Sequence, residues 1–252
     1  MLDLGKKVVL VTGGAGGIGA AIVRAVASAG ADVVLHDISA RGAAAVQRSL
    51  GSERCRVVEA DLAVTDAIPR LWEQAVSWRG HIDVLVNNAG IYEAAEPGGE
   101  FAAWNAAWHR TLAVNLVAPA HLCREAIRHF QKRGGGIIIN IASRAAFRGD
   151  GPDFMNYAAS KGGMIAMTRT IARGFARDNI TAFAVAPGVV NTSFNDEMFR
   201  RYGGYDAAIK ETPLGAPAEP EDIANFVLFL ASGAARHATG ATIDINGASY
   251  VR

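Results

Sequence analysis

The chain predicts one α/β domain over residues 1–252, a Rossmann-like, doubly wound parallel sheet of about seven strands with helices on both faces. Three observations carry that prediction. Short runs rich in β-branched residues alternate with longer helical patterns from end to end. The first run passes through a glycine-rich turn straight into a helix. No linker, internal repeat or shift in composition interrupts the alternation.

The elements follow in order. KVVLVTG (7–13) is a continuous apolar run, as a strand covered on both faces requires. Gly17 to Ala29 continues it as a helix, with Ile18, Ile22, Val23 and Val26 at helical spacing. DVVLHD (32–37) and RVVEAD (56–61) are the second and third strands, followed by helices at 39–50 and 65–79. IDVLVNNAG (82–90) is a fourth strand ending in a turn, and 101–133 reads as one long helix. GGIIINIAS (135–143) is the fifth strand, 153–178 a second long helix, and ITAFAVAPG (180–188) the sixth strand. Helices near 194–212 and 219–232 precede a last strand at 241–246.

Composition narrows the function. Half of the 252 residues are hydrophobic and 19% are charged, which excludes a disordered chain. Lys and Arg number 25 against 24 Asp and Glu, so a net charge of +1 makes no electrostatic case for nucleic acid or an anionic membrane. Cys55 and Cys123 form neither a C-x-x-C pair nor a group with histidines, so no metal site is expected. No apolar run has the length of a signal peptide core or a membrane span, so a cytoplasmic protein with a small-molecule partner is expected. His36 reads as a surface histidine, with adenosine contact as the alternative, and Trp104 and Trp108 read as core or subunit contacts.

TGGAGGIG (12–19) lies between the first strand and the first helix, the context in which a glycine pattern points to a dinucleotide. Backbone N–H groups at a helix N-terminus bind a pyrophosphate if no Cβ stands in the way, hence Gly13, Gly17 and Gly19, with Ile18 between them. Asp37 ends the second strand. A carboxylate there accepts from both hydroxyls of the adenine ribose and repels a 2′-phosphate, and no Lys or Arg lies in the turn, so NAD is the expected cofactor. The competing reading makes Asp37 a cap for the helix near Ser39. Asp61 and Leu62 after the third strand, and Asn88 and Gly90 after the fourth, extend the expected cofactor wall.

YAASK (157–161) sets a phenol and an ammonium one helical turn apart, fourteen residues beyond Ser143 at the end of the fifth strand. Beside an ammonium and a positively charged nicotinamide, a phenol becomes a base near neutral pH. Asn115 stands four residues before Pro119, which has no N–H to give the Asn115 carbonyl, so a kink that could hold a water is expected there.

TGGAGGIG, NNAG (87–90), Asn115, Ser143, YAASK and PG (187–188), in that order, resemble the short-chain dehydrogenase/reductase family over the whole chain. The resemblance implies Tyr157 as general acid/base, Lys161 on the nicotinamide ribose and lowering the tyrosine pKa, Ser143 orienting the substrate oxygen, and Asn115 anchoring a proton relay. It implies that the loop with Pro187, Gly188, Val190 and Thr192 meets the nicotinamide carboxamide. It further implies an NAD-dependent oxidoreductase acting on an alcohol or ketone, assembled as a homotetramer in which the C-terminal INGASYVR (245–252) contributes to an interface. The two long helices, 101–133 and 153–178 with GGMIAM (162–167), carry apolar and small residues on more than one face, one to cover the sheet and one that invites a second subunit. The substrate pocket is expected from 91–100, 144–154 and a lid at 193–215 broken at Gly203-Gly204, with Tyr92, Arg144, Phe147, Arg148, Phe154, Phe194, Met198, Phe199 and Tyr202 as walls. A sugar or polyol, a hydroxy acid or a cyclic alcohol would fit. A 3-oxoacyl-thioester reductase and a non-catalytic NAD-sensing binder are the alternatives.

Overall fold

The computed structural model describes residues 2–201 and 203–252. Its seven strands are β1 (Val8–Thr12), β2 (Asp32–Asp37), β3 (Cys55–Glu59), β4 (Val84–Asn87), β5 (Gly136–Ile141), β6 (Ile180–Pro187) and β7 (Thr242–Ile245). They form one sheet in the order β3-β2-β1-β4-β5-β6-β7, and every pairing is parallel. The order reverses between β1 and β4, and this opens a crevice at their carboxyl ends.

The helices are α1 (Gly17–Ser28), α2 (Ala40–Leu50), α3 (Ala67–Arg79), α4 (Phe101–Leu112), α5 (Ala118–Arg133), α6 (Ala145–Arg148), α7 (Met155–Phe175), α8 (Asp196–Arg201), α9 (Gly204–Lys210) and α10 (Pro220–Ser232). Alternation along β1 feeds both faces of the sheet. Val9 and Val11 pack with Ile22, Val26, Ile223 and Val227 of α1 and α10. Val8 and Leu10 join Leu71, Leu122, Phe130 and Ile138 on the other side, with α3 and α5. Each such side chain contributes about 1.5–3 kcal/mol when fully buried. Among the described residues no helix is long and apolar enough to cross a membrane.

Two expectations need correction. The single helix at 101–133 is interrupted by a π-helical segment, Ala113–Val117. Pro119 offers no N–H to the Asn115 carbonyl, and the ladder widens so that Ala118 N–H bonds to Ala113 O. The helix at 153–178 is α7 alone, flanked by 3₁₀ turns at 152–154 and 176–178. Within GGMIAM, Met164 and Ile165 are buried and Gly163 is fitted against Leu116, where a Cβ would come within 2.9 Å, while Ala166 is exposed. The break at Gly203-Gly204 falls as expected, both residues holding φ near +85° between α8 and α9.

Candidate active site

A cleft of about 440 Å³ lies at the crevice between β1 and β4. Its walls include Gly13, Gly17, Ile18, Gly19, Asp37, Asp61, Leu62, Asn88, Gly90, Ser143, Tyr157, Lys161, Pro187, Gly188, Val190 and Thr192. Each of these is a residue the sequence singles out, and folding brings them together from the ends of six strands and from α7. Asn115 alone stands outside the cleft.

The two strand ends at the crevice are stitched to one another. Thr12 Oγ1 accepts from the N–H groups of Asn88 and Ala89, both at 3.0 Å. Asn88 Nδ2 donates back to the carbonyls of Thr12 at 2.9 Å and Gly13 at 3.0 Å. Thr12 escaped the sequence reading; a hydroxyl residue ending a buried apolar strand was the available signal. Two of the glycines, Gly13 and Gly19, have a reason within the chain itself beside the expected one. A Cβ on Gly19 would lie 1.9 Å from the Gly13 carbonyl oxygen, and one on Gly13 2.8 Å from Ala89 Cα. These glycines answer the chain's own close packing. Gly16 is the turn residue with open space around its Cβ position, and it faces the cleft.

Asp37 sits at one end. Its Oδ2 accepts from Ala15 N–H and its Oδ1 from Ser39 N–H, each at 2.9 Å. Ser39 itself caps α2 by accepting from Gly42 N–H, so Asp37 is not that cap: it ties the glycine turn to the end of β2. Asp61 Oδ1 accepts from Ala63 N–H. His36 is not a surface residue, being 2% exposed with Nε2 3.1 Å from Ala60 O. Its place on a strand paired on both sides makes the burial, and desolvation lowers its pKa.

Ser143, Tyr157 and Lys161 meet at the other end. Ser143 follows β5, while Tyr157 and Lys161 share one face of α7. Lys161 is 3% exposed, and its Nζ lies 5.7 Å from the Tyr157 ring centroid and donates to Ile141 O at 2.8 Å. Burial brings its pKa down to about 8. The phenol is pushed above its ordinary value by burial, opposed by a hydrogen bond with Ser143. The expected lowering by Lys161 is therefore not the net effect of the protein alone: Tyr92 packs edge-on to the ring at 4.8 Å, and Phe154 joins the same buried cluster, so water is kept away. Asn156, buried and missed in the sequence, fixes the start of α7. It accepts from Tyr157 N–H and donates to Thr111 Oγ1 and to Glu93 O.

Asn115 works from behind the cleft. Its Oδ1 accepts from Ile91 N–H at 2.8 Å, and its Nδ2 donates to Ile91 O at 2.9 Å and Ser160 Oγ at 3.3 Å. A Cβ on Gly90 would lie 3.4 Å from Asn115 Oδ1 and 3.5 Å from Lys161 Nζ, so both groups flank that glycine.

Beyond Tyr157, the expected walls form an aromatic rim. Tyr92 stacks on Phe154 at 3.8 Å, and Phe194 approaches Tyr157 at 6.3 Å. Arg144 and Arg148 stand next to these, and a smaller cavity touches Ser143, Tyr157 and both arginines. Phe147 instead stacks on Tyr250, and Phe199 packs edge-on to Tyr205. Tyr202 and the side chain of Met198 lie outside the described residues.

A sheet with this order, bearing a glycine turn at its switch point and a Ser–Tyr–Lys group across the cleft, defines a class of oxidoreductase, and comparison with known proteins agrees. A family model described as enoyl-(acyl carrier protein) reductase matches residues 13–248, and the chain belongs to the short-chain dehydrogenase/reductase family. It is 36% identical over 249 residues to a cis-4-hydroxycyclohexanecarboxylate dehydrogenase of Sinomonas cyclohexanicum, covering 96% of each chain. Among solved structures it resembles a blue fluorescent protein from a metagenomic library in complex with NADPH, at 36% identity and TM-score 0.89 over 99% of this chain and all of that one. It also resembles a 3-ketoacyl-(acyl-carrier-protein) reductase of Brucella melitensis complexed with NADH, at 29% identity and TM-score 0.89 over 99% and 100%.

Proposed function

We propose that this chain is an NAD(H)-dependent dehydrogenase/reductase that moves a hydride between a secondary alcohol and its ketone, with Tyr157 as general acid/base. One observation carries the reading. A buried phenol, a buried ammonium and a serine hydroxyl converge at one end of a cleft whose other end presents Asp37. The cleft suits a dinucleotide: it is open around Gly16, and Lys161 at its far end keeps two ammonium protons beyond the one given to Ile141 O. Neighbouring structures holding NADPH and NADH support a nicotinamide cofactor.

Bound there, the nicotinamide supplies a two-electron hydride acceptor or donor. The amides at the start of α1 would hold the pyrophosphate, and Asp37 would accept from the adenine ribose hydroxyls while repelling a 2′-phosphate. Asp61 and Leu62 border the adenine. Asn88 and Gly90 shape the floor, and Pro187, Gly188, Val190 and Thr192 form the wall for the carboxamide. Lys161 holds the nicotinamide ribose. Ser143 orients the substrate oxygen through a hydrogen bond. As the substrate carbon gives up its hydride, the ionised Tyr157 oxygen takes the hydroxyl proton and the C–O bond becomes a carbonyl; reduction returns the proton from the phenol. Lys161 and a cationic ring oppose the burial that disfavours the phenolate. Asn115 positions the Ile91 turn beside Lys161 and anchors the route by which that proton reaches solvent.

The reduction of a 3-oxoacyl thioester is the second reading, favoured by the NADH-bound neighbour of that name. The chain assembles as a homotetramer in this proposal; a monomeric mass by light scattering would remove that part.

The test follows reduced-nicotinamide absorbance with NAD⁺ and NADP⁺ over polyols, hydroxy acids and cyclic alcohols, and with 3-oxoacyl thioesters in reverse. Turnover with NAD⁺ is expected, falling by at least about 10²-fold in Tyr157→Phe. Tight NAD⁺ binding with no turnover of any substrate would favour an NAD-sensing binder, and full-rate turnover by Tyr157→Phe would refute the acid/base role.

A further inference from the structure

Arg144 directly follows Ser143, and its surroundings do not satisfy it. The residue is 8% exposed, and its Nη1 is shut off from solvent with no hydrogen-bond partner. A buried guanidinium with an idle donor is unfavourable unless an acceptor arrives. The nearest counter-charge is Glu211, just beyond α9, whose Oε2 lies 3.6 Å from Arg144 Nη2 and 2.8 Å from Arg148 Nη1. The Glu211 side chain is 53% exposed, against 10% for Arg144. With its acid half-exposed and 3.6 Å from Arg144, this contact is loose enough for Glu211 to be displaced into solvent. Asp150 is the other acid beside the two arginines. Both arginines face the cavity that also touches Ser143 and Tyr157.

We propose that Arg144 and Arg148 form the carboxylate-binding subsite of the active site, and that Glu211 on the lid is its internal placeholder, displaced when the substrate's carboxylate arrives. The preferred substrate is a secondary alcohol that carries a carboxylate, and the inference rests on the oxidoreductase reading above for which carbon reacts. A carboxylate fits for two reasons. A guanidinium fork matches its planar pair of oxygens, and a carboxylate of the chain already pairs with Arg148 Nη1 and approaches Arg144 Nη2 while leaving Arg144 Nη1 unsatisfied. An uncharged alcohol offers that donor only a neutral oxygen, without the charge and the paired acceptors of a carboxylate.

The experiment compares hydroxycarboxylates of five to seven carbons with their own primary amides, reading kcat and KM in the wild type, Arg144→Gln and Glu211→Gln. The carboxylate is expected to exceed its amide in kcat/KM by on the order of 10- to 100-fold, through KM. That ratio collapses towards one in Arg144→Gln, and in Glu211→Gln it rises several-fold as the competitor is removed. A structural role alone would not drive the two variants in opposite directions. Should Arg144→Gln fail to fold, Arg148→Gln carries the same expectation. Equal use of acid and amide by the wild type, or a ratio unmoved by Glu211→Gln, overturns the inference while leaving the oxidoreductase reading intact. If no alcohol is oxidised, calorimetry with benzoate and benzamide decides. Benzoate binding that weakens in Arg144→Gln and tightens in Glu211→Gln supports the subsite, and equal affinity for both probes overturns it.

Discussion

Lys161 shows how a single buried charge ties stability to function. Its ammonium lies 3% exposed, and burial brings the pKa down to about 8 from 10.5. Between those two values the unfolded chain holds a proton that the native chain has lost, so this residue makes stability rise with pH across the window. At neutral pH it costs about 3 kcal/mol. Lys161→Met keeps the length of the side chain without the charge, but loses the bond to Ile141 O. The variant is expected to be more stable than the wild type by about 1–3 kcal/mol at pH 7, and the gap should narrow by about 1 kcal/mol at pH 9. Tyr157 has the opposite sign: its raised pKa keeps the native phenol protonated while the unfolded one ionises, which lowers stability only above about pH 10. Cys55 and Cys123, both raised by burial, cancel in the comparison of the two proteins. Urea titrations of both proteins at the two pH values check this, and a gap independent of pH would mean that the ammonium is not the destabilising group.

At the scale of elements, the glycine turn separates two requirements that the sequence pattern merges. TGGAGGIG announces a tight strand-to-helix turn, but not which glycine serves packing and which faces a ligand. That division depends on Ala89, brought close to Gly13 by the β1–β4 pairing, and on how tightly the turn folds the Gly13 carbonyl onto Gly19. Gly19→Ala drives a methyl into the Gly13 oxygen and should destabilise the chain by more than about 4 kcal/mol. Gly16 has an extended φ of −159°, which any residue adopts, and free space around its Cβ position. Gly16→Ala should therefore unfold within about 0.5 kcal/mol of the wild type while binding NAD⁺ at least about 10-fold more weakly. Urea midpoints and an NAD⁺ titration separate the two outcomes; an unchanged affinity would mean that this face of the turn does not receive the cofactor. The π-helical segment at Ala113–Val117 follows the same logic. Pro119 signalled a lost hydrogen bond at Asn115, but not that the ladder would widen there while the Asn115 side chain holds the distant Ile91 backbone.

For the molecule as a whole, the parallel sheet and the cleft were legible because buried parallel strands are written as unbroken apolar runs and their carboxyl ends carry the polar residues, whereas the strand order had to come from the structure. What depended on contacts between distant segments was not legible: the burial of His36, the stitching by Thr12, the idle donor of Arg144 beside Glu211. The cleft draws its walls from both halves of the sheet, Asp37 and Asp61 beyond β2 and β3 on one side, Ser143 and Thr192 beyond β5 and β6 on the other. A dinucleotide lying along it bridges those halves, so its binding energy adds to the stability of the entire fold. NAD⁺ at a hundred times its dissociation constant should add about 2.7 kcal/mol, a rise in Tm of roughly 5–10 °C for a chain of this size. NADP⁺ at the same concentration should raise it far less, because a 2′-phosphate would approach a carboxylate already held in place by Ala15 and Ser39 N–H. Asp37→Ser removes that charge and should bring the two shifts together. Equal shifts in the wild type would show that Asp37 does not choose the cofactor, and the preference for NAD⁺ would fall with it.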